Sequence, residues 1–191
     1  MWIRRHILVE GYYLKASLMF YRPAGQDVWA LQKTNKGFFV DIGAHDGVES
    51  SNTYALEKAG WTGICIEPNP VSFEKLRLFR RCTCLNRFVA DDLAVILAEQ
   101  YCPIIIDYIS LDVDGPELDI LKGMDFKGYH VKMITVEHNQ YLEGPARQEQ
   151  IFDYLTARGF IRKYKDVKCL DPNYYGAIYE DWYENRFTKP V

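Results

Sequence analysis

From residue 38 onward, short apolar runs of strand length alternate with segments whose apolar residues recur at helical spacing. A chain patterned this way is confined to few architectures, because neighbouring parallel strands need a long crossover and a helix supplies it. Strands are expected at residues 38–42, 63–67, 82–86, 104–111 and 131–137, the fourth being the most apolar and therefore central. Between them a helix starts near Asn52 and is stopped by Gly60 after Lys58, and Pro70 opens another that carries Phe73, Leu76 and Phe79. Leu93, Ile96, Leu97 and Gln100 mark a third, capped by Asp91 or Asp92. "DVDGPELDILKG" reads as a strand end, a turn and a helix with Pro116 in its first turn, Glu117 near its positive end and Gly123 after it. Ile151, Phe152 and Leu155 place a last helix, stopped by Gly159, before a closing antiparallel pair at 160–164 and 174–179. The expected fold is α/β and Rossmann-like: a central, mostly parallel sheet flanked by helices. Residues 1–36 read as a helical or irregular segment packed on the core and 37–191 as the domain proper, one domain in all.

The formal net charge of −3 gives no general pull toward nucleic acid or an anionic membrane. Arg77, Arg80, Arg81 and Arg87 form one local basic cluster, which reads as a solvated helix face. The C-terminal aromatics Tyr174, Tyr175, Trp182, Tyr183 and Phe187 read as packing, since few basic residues interleave with them as a base-stacking surface would require. Five cysteines form no CxxC pair and are odd in number, which favours reduced, buried thiols and a cytoplasmic setting. Glu10 and Lys15 interrupt the apolar stretch that a leader or spanning helix would need.

In an open α/β sheet ligands sit beyond the carboxyl ends of the strands, and here those ends are acidic. The first strand delivers Asp41, Gly43, His45, Asp46 and Gly47; the second Glu67; the central one Asp112 and Asp114; the next Glu137, His138 and Asn139. The two glycines allow a backbone turn to pass close to a ligand, and Glu67 stands where an acidic side chain accepts hydrogen bonds from ribose hydroxyls. A nucleotide-type cofactor is expected. The G-x-x-x-G spacing is neither the G-x-G-x-x-G of dinucleotide sites nor a phosphate loop, and Asp41, Asp46 and Glu49 would repel a pyrophosphate. S-adenosylmethionine, which brings a sulfonium and an ammonium and no phosphate, suits that turn.

"GFFVDIGAHDG", "SNTYALEKAGWTGICIEPNP", "IDYISLDVDGPELDILKG" and "ITVEHN", with a weaker match at "GQDVWALQKTNKGFF", resemble in residues and order the FkbM-family methyltransferases of the class I S-adenosylmethionine-dependent fold. The resemblance covers most of residues 25–160. It implies that the turn of Gly43 and Gly47 holds the methionine part of the cofactor, that Glu67 holds its ribose, and that a hydroxyl is methylated, often on a sugar. The segment after Cys84 is shorter than in the family, with only "LNRFVA" before Asp92, which puts an adenine wall or a substrate rim in question.

Asp41, His45, Asp46 and Asp112 join Gly43, Gly47 and Glu67 as candidate cofactor contacts. Asp114 either caps the helix that Pro116 begins or faces the cleft, whereas capping does not account for Asp112. Asp112, Asp114, Glu137 and Asn139 are an oxygen-donor set for Mg²⁺ or another hard cation, and equally for capping or substrate hydrogen bonds. His138, Asp114, Asp112 or a metal could deprotonate the acceptor hydroxyl, with His138 preferred to His45 because its strand end adjoins that of Asp112. The expected partner is a small-molecule acceptor such as a carbohydrate, with neither nucleic acid nor membrane. The alternatives are a methyltransferase-like domain that binds without catalysis and, less favoured by the acidic turn, a nucleotide-dependent oxidoreductase.

Overall fold

The computed structural model describes residues 8–9, 12–13, 24–169 and 175–187. Two short strands, β1 (Leu8–Val9) and β2 (Tyr12–Tyr13), pair as an antiparallel ribbon; the rest of the expected segment before residue 24 lies outside the described residues. Then follow α1 (Gln26–Lys33), β3 (Phe38–Ile42), α2 (Tyr54–Lys58), β4 (Thr62–Ile66), α3 (Pro70–Phe79), β5 (Thr83–Leu85), α4 (Leu93–Glu99), β6 (Ile105–Leu111), α5 (Glu117–Lys122), β7 (His130–Glu137), α6 (Gln140–Glu143), α7 (Ala146–Thr156), β8 (Phe160–Lys168) and β9 (Ile178–Asn185). The main sheet has seven strands in the order β5-β4-β3-β6-β7-β9-β8. β3 to β7 run parallel, while β9 is antiparallel to both β7 and β8.

Alternation along each strand divides the core between the two sheet faces. Val40, Ile64, Ile66, Ile109 and Ile134 face one way and meet α4, α5 and α7 through Ile96, Ile120 and Ile151. Phe39, Cys65, Tyr108 and Met133 face the other way, against Trp29 of α1, Leu56 of α2 and Leu76 of α3. Burial on both faces explains why these strands read as continuous apolar runs. α3 is tied at its start by Asn69, whose side-chain oxygen accepts from the N–H groups of Val71 and Ser72 just before Pro70 sets the first turn.

The last strand differs from its expected position. β9 begins at Ile178 and reaches Asn185, well past 174–179, and residues 170–174 lie outside the described residues. Its "IYEDWYEN" looks too charged for an inner strand, yet Glu180 and Asp181 are both buried. Glu180 accepts from Gln26 Nε2 and from the Trp182 indole, so its charge is met inside the fold. Trp182 stacks on Trp29 with ring centroids 5.2 Å apart, fastening α1 to this end of the sheet. Of the C-terminal aromatics, Trp182 and Tyr183 pack as expected, whereas Tyr175 and Phe187 are exposed. Only Cys65 is fully buried; Cys82, Cys84, Cys102 and Cys169 are half-buried, and Cys65, Cys82, Cys84 and Cys102 carry no disulfide. No described helix is long and apolar enough to cross a membrane.

Candidate functional site

β3, β4 and β6 lie side by side, so the loops after them share one edge of the sheet, and a cleft of about 680 Å³ opens there. The backbone closes the cleft floor by an unusually tight approach. Gly43 follows β3 at φ +86°, and a Cβ there would lie 1.8 Å from the carbonyl oxygen of Asp112 as the chain leaves β6. The N–H groups of Gly43 and Ala44 both donate to the Ile66 carbonyl at the end of β4, and the Asp112 N–H donates to Ile42. Three strand ends are thereby tied together, and only glycine permits it. Gly47, at φ +78°, stands against α3, where a Cβ would be 2.4 Å from Leu76 Cδ1 and 2.8 Å from Arg80 Cγ. Both glycines therefore make room for the chain itself, and only Gly43 lines the cleft.

Glu67 leaves β4 with its carboxylate on the cleft wall and 7 % exposed. Its oxygens accept from the His45 N–H at 2.8 Å and from the Asn69 N–H at 2.7 Å. Two backbone donors fix the group between the first two loops, and each carboxylate oxygen retains a lone pair for a further donor. Asp41, buried within β3, accepts from Thr53 Oγ1 at 2.6 Å and also lines the cleft. His45 lines it with an exposed side chain. Asp46 does not: its Oδ1 accepts from the N–H groups of Val48 and Glu49 and shapes the turn from behind.

Arg80 corrects the solvated-face reading of the arginine cluster. Its side chain is fully buried and pairs with Glu57 through Nε at 2.9 Å. Nη1 donates to the Gly47 carbonyl and Ser51, and Nη2 donates to Thr53 Oγ1. One guanidinium from the end of α3 thus holds the whole 47–53 loop against the sheet, reaching Asp41 through Thr53. Arg87 also departs from that reading, since it lines the cleft while paired with Asp92 and Glu99. The sequence signal for both was weak, because the partners lie on other elements. The short segment after Cys84 does not leave the cleft open on that side: Phe88 and Val89 wall it, and Asn86 Nδ2 clasps the Glu67 and Pro68 carbonyls.

Asp112 and Asp114 both line the cleft. Asn52 Nδ2 reaches Asp112 Oδ2 at 3.4 Å and Ser110 Oγ at 2.7 Å. Asp114 does not cap α5: the buried Glu117 carboxylate takes the Gly115 N–H instead, and burial raises that carboxyl above its usual range against the pull of this and other N–H groups and of Arg147. The Asp114 N–H donates to Glu137 Oε2, and Asp114 Oδ1 accepts from Asn139 Nδ2. Asp114, Glu137 and Asn139 are therefore brought together, but by satisfying one another. Among the described residues no group of three or more His, Cys, Asp or Glu is arranged to hold a metal ion.

His138 is placed away from the cleft lining. It is 1 % exposed, with Nε2 3.5 Å from Asp181 and 3.4 Å from Gln148 Nε2, and its Nδ1 accepts from the Gln140 N–H. Asp181 also receives Arg162, Gln148 and the Asp166 N–H. Burial alone would raise the Asp181 carboxyl, yet His138, the Asp166 N–H and Arg162 together hold it below the usual range. The imidazole thus belongs to a buried polar network with Asp181 of β9 and does not line the cleft.

The sequence profile of the methyltransferase FkbM domain matches residues 41–102 and 93–162. No curated protein matches the sequence. Among solved structures, the chain is similar to precorrin-6y C5,15-methyltransferase from Geobacter metallireducens GS-15, at 15 % identity over 83 % of this chain and 85 % of that one, with a TM-score of 0.57. It is similar to M. capricolum TrmK in complex with S-adenosyl-homocysteine, at 12 % identity over 84 % and 68 % with a TM-score of 0.58. It is also similar to Aeropyrum pernix fibrillarin with natively bound S-adenosyl-L-methionine, at 13 % identity over 77 % and 66 % with a TM-score of 0.53. These likenesses show a shared fold. The profile match spans well over half of the sequence and contains the Gly43 turn, Glu67, Asp112 and Asp114, so the chain belongs to the FkbM-domain family of methyltransferases.

Proposed function

We propose that the protein binds S-adenosylmethionine in the cleft at the ends of β3, β4 and β6 and methylates a hydroxyl group of a sugar or other small neutral acceptor. The observation that carries this reading is Glu67, a carboxylate pinned by two backbone N–H groups on the cleft wall with lone pairs left for ribose hydroxyls. The cofactor-bound states of the TrmK and fibrillarin structures support it. So does the charge of the lining. Asp41, Glu49, Glu67, Asp112 and Asp114 face the cleft, and its Arg87 is already neutralised by two acids. A cationic ligand is favoured there and a pyrophosphate disfavoured. Phe88 and Val89 offer the apolar wall that a flat base needs. Cys65, Cys82, Cys84 and Cys102, none of them in a disulfide, suit a reducing setting such as the cytoplasm.

Bound S-adenosylmethionine supplies an electrophilic methyl group on sulfur. The chain's own task is to orient the acceptor and take its proton. Asp114 is the group we assign to that proton, because it lines the cleft beside Asp112 and is held by Asn139, whereas His138 is withdrawn into the network around Asp181. Assay of methyl transfer to a panel of sugar and phenol acceptors, with chelator or with added Mg²⁺, tests the reading. Asp114→Asn should lower turnover by roughly two to four orders of magnitude while leaving S-adenosylmethionine affinity unchanged. Full turnover in that variant would remove Asp114 from the role.

A further inference from the structure

Outside the residues that line the cleft, three thiols gather where β4 meets β5. Cys65 is fully buried in β4, Cys84 is its register partner in β5, and Cys82 precedes β5. The sulfurs of Cys65 and Cys82 are 3.5 Å apart, and Cys82 is half-buried and so reachable from solvent. Cys82 is two residues from Arg80, and its N–H donates to Glu57, the partner of Arg80. No step of the proposed chemistry uses this cluster.

We propose that Cys65 and Cys82 form a reversible disulfide by exchange with a low-molecular-weight disulfide such as oxidised glutathione, and that closing it loosens the 47–53 loop through Arg80. The Cys82 thiolate attacks one sulfur of the small disulfide, joining it and expelling one glutathione thiolate. Cys65, giving up its proton, then attacks the Cys82 sulfur and expels the second. Two protein thiols are oxidised and one small disulfide is reduced to two thiols. The environment suits these roles. With Cys82 ionised, Cys65 and Cys84 can donate to its sulfur, and with the nearby Arg80 guanidinium they outweigh burial and hold the Cys82 thiol below its ordinary range. Burial pushes Cys65 up, leaving it the protonated donor.

The coupling follows from what can move. A disulfide needs its sulfurs about 2.05 Å apart, so the pair must close by about 1.5 Å. Cys65 is fixed in an inner strand with packed neighbours, so the turn at 80–82 yields. That turn carries the guanidinium whose bonds to Gly47, Ser51 and Thr53 set the loop. The effect on cofactor affinity rests on the S-adenosylmethionine reading above, whereas the bond and the loosened loop do not.

The full chain is incubated in oxidised and reduced glutathione buffers, its disulfides are mapped by peptide mass, and hydrogen exchange is followed over residues 43–53. S-adenosylmethionine affinity is measured on the same samples before and after dithiothreitol. The expected result is a Cys65–Cys82 bond, faster exchange in 43–53, and a loss of affinity of roughly tenfold or more that dithiothreitol restores. Cys82→Ser and Cys65→Ala should show none of the three. A glutathione adduct that goes no further, a bond between other cysteines, or a Cys65–Cys82 bond with exchange unchanged would each overturn the proposal. If the reduced protein fails to bind S-adenosylmethionine at all, the cofactor reading falls, and the mapped bond and exchange rates still decide this one.

Discussion

The α-carbon of Gly43 faces the carbonyl oxygen of Asp112 so closely that a methyl group there would stand 1.8 Å from it. Two parallel strands, β3 and β6, thus end in contact through backbone alone, and the cleft floor has no room for a side chain at this point. Gly43→Ala must both hold alanine at φ +86° and part the two loops. We expect a loss of about 2 to 5 kcal/mol of stability, read by urea unfolding, together with weakened ligand binding in whatever folds. A variant as stable as the parent would mean that the approach is not a constraint.

Arg80 and Glu57 are a buried pair, and the guanidinium has no water to turn to. Arg80→Met leaves Glu57 uncompensated and should cost about 3 to 5 kcal/mol. Adding Glu57→Leu should recover part of that loss, because the stranded charge goes with it. Equal or greater destabilisation in the double variant would show that loop tethering, and not charge burial, dominates.

How much of this could be read from the chain follows from where each residue's partners lie. The strand at 38–42 and its acidic exit were legible because alternation and turn glycines are local signals. The cleft-lining positions of Glu67, Asp112 and Asp114 followed from the rule that strand ends carry the site. Arg80 was not legible: an arginine near a helix end looks solvated until Glu57, on another helix, is known to sit against it. β9 was mislocated for the same reason, since "EDWYEN" is polar in sequence and its charges are met by Gln26, Arg162 and His138 from distant elements. His138 stands at an expected strand end, but it lies against Asp181 and outside the cleft lining, a contact with a distant strand that no local pattern announces.

The Asp181 network predicts an acid signature. Its folded carboxyl titrates below the ordinary aspartate value of about 3.9, so its contribution is complete above that value and is lost as pH falls through the depressed one. Stability of the parent should therefore fall more steeply below about pH 4 than that of Asp181→Asn, which should already be less stable at pH 7. Parallel stability curves for the two proteins would remove Asp181 as a source of acid sensitivity.

Glu67→Ala removes the acceptor of the His45 and Asn69 N–H groups as well as the acceptor offered to ribose. Affinity for S-adenosylmethionine should fall by about 1 to 3 kcal/mol. The 2′-deoxyribose analogue of the cofactor product should then bind parent and variant more nearly alike than the ribose form does, a pattern that loop disorder alone would not produce.

The central claim is that an acidic, phosphate-averse cleft at the ends of β3, β4 and β6 holds a cationic methyl donor. Calorimetric titration of the unmodified protein with S-adenosylmethionine and, separately, with NAD tests it most directly. The account predicts saturable one-site binding of S-adenosylmethionine and none of NAD under the same conditions. Binding of NAD equal to or tighter than that of S-adenosylmethionine, or no binding of S-adenosylmethionine by the reduced, folded chain, would contradict it.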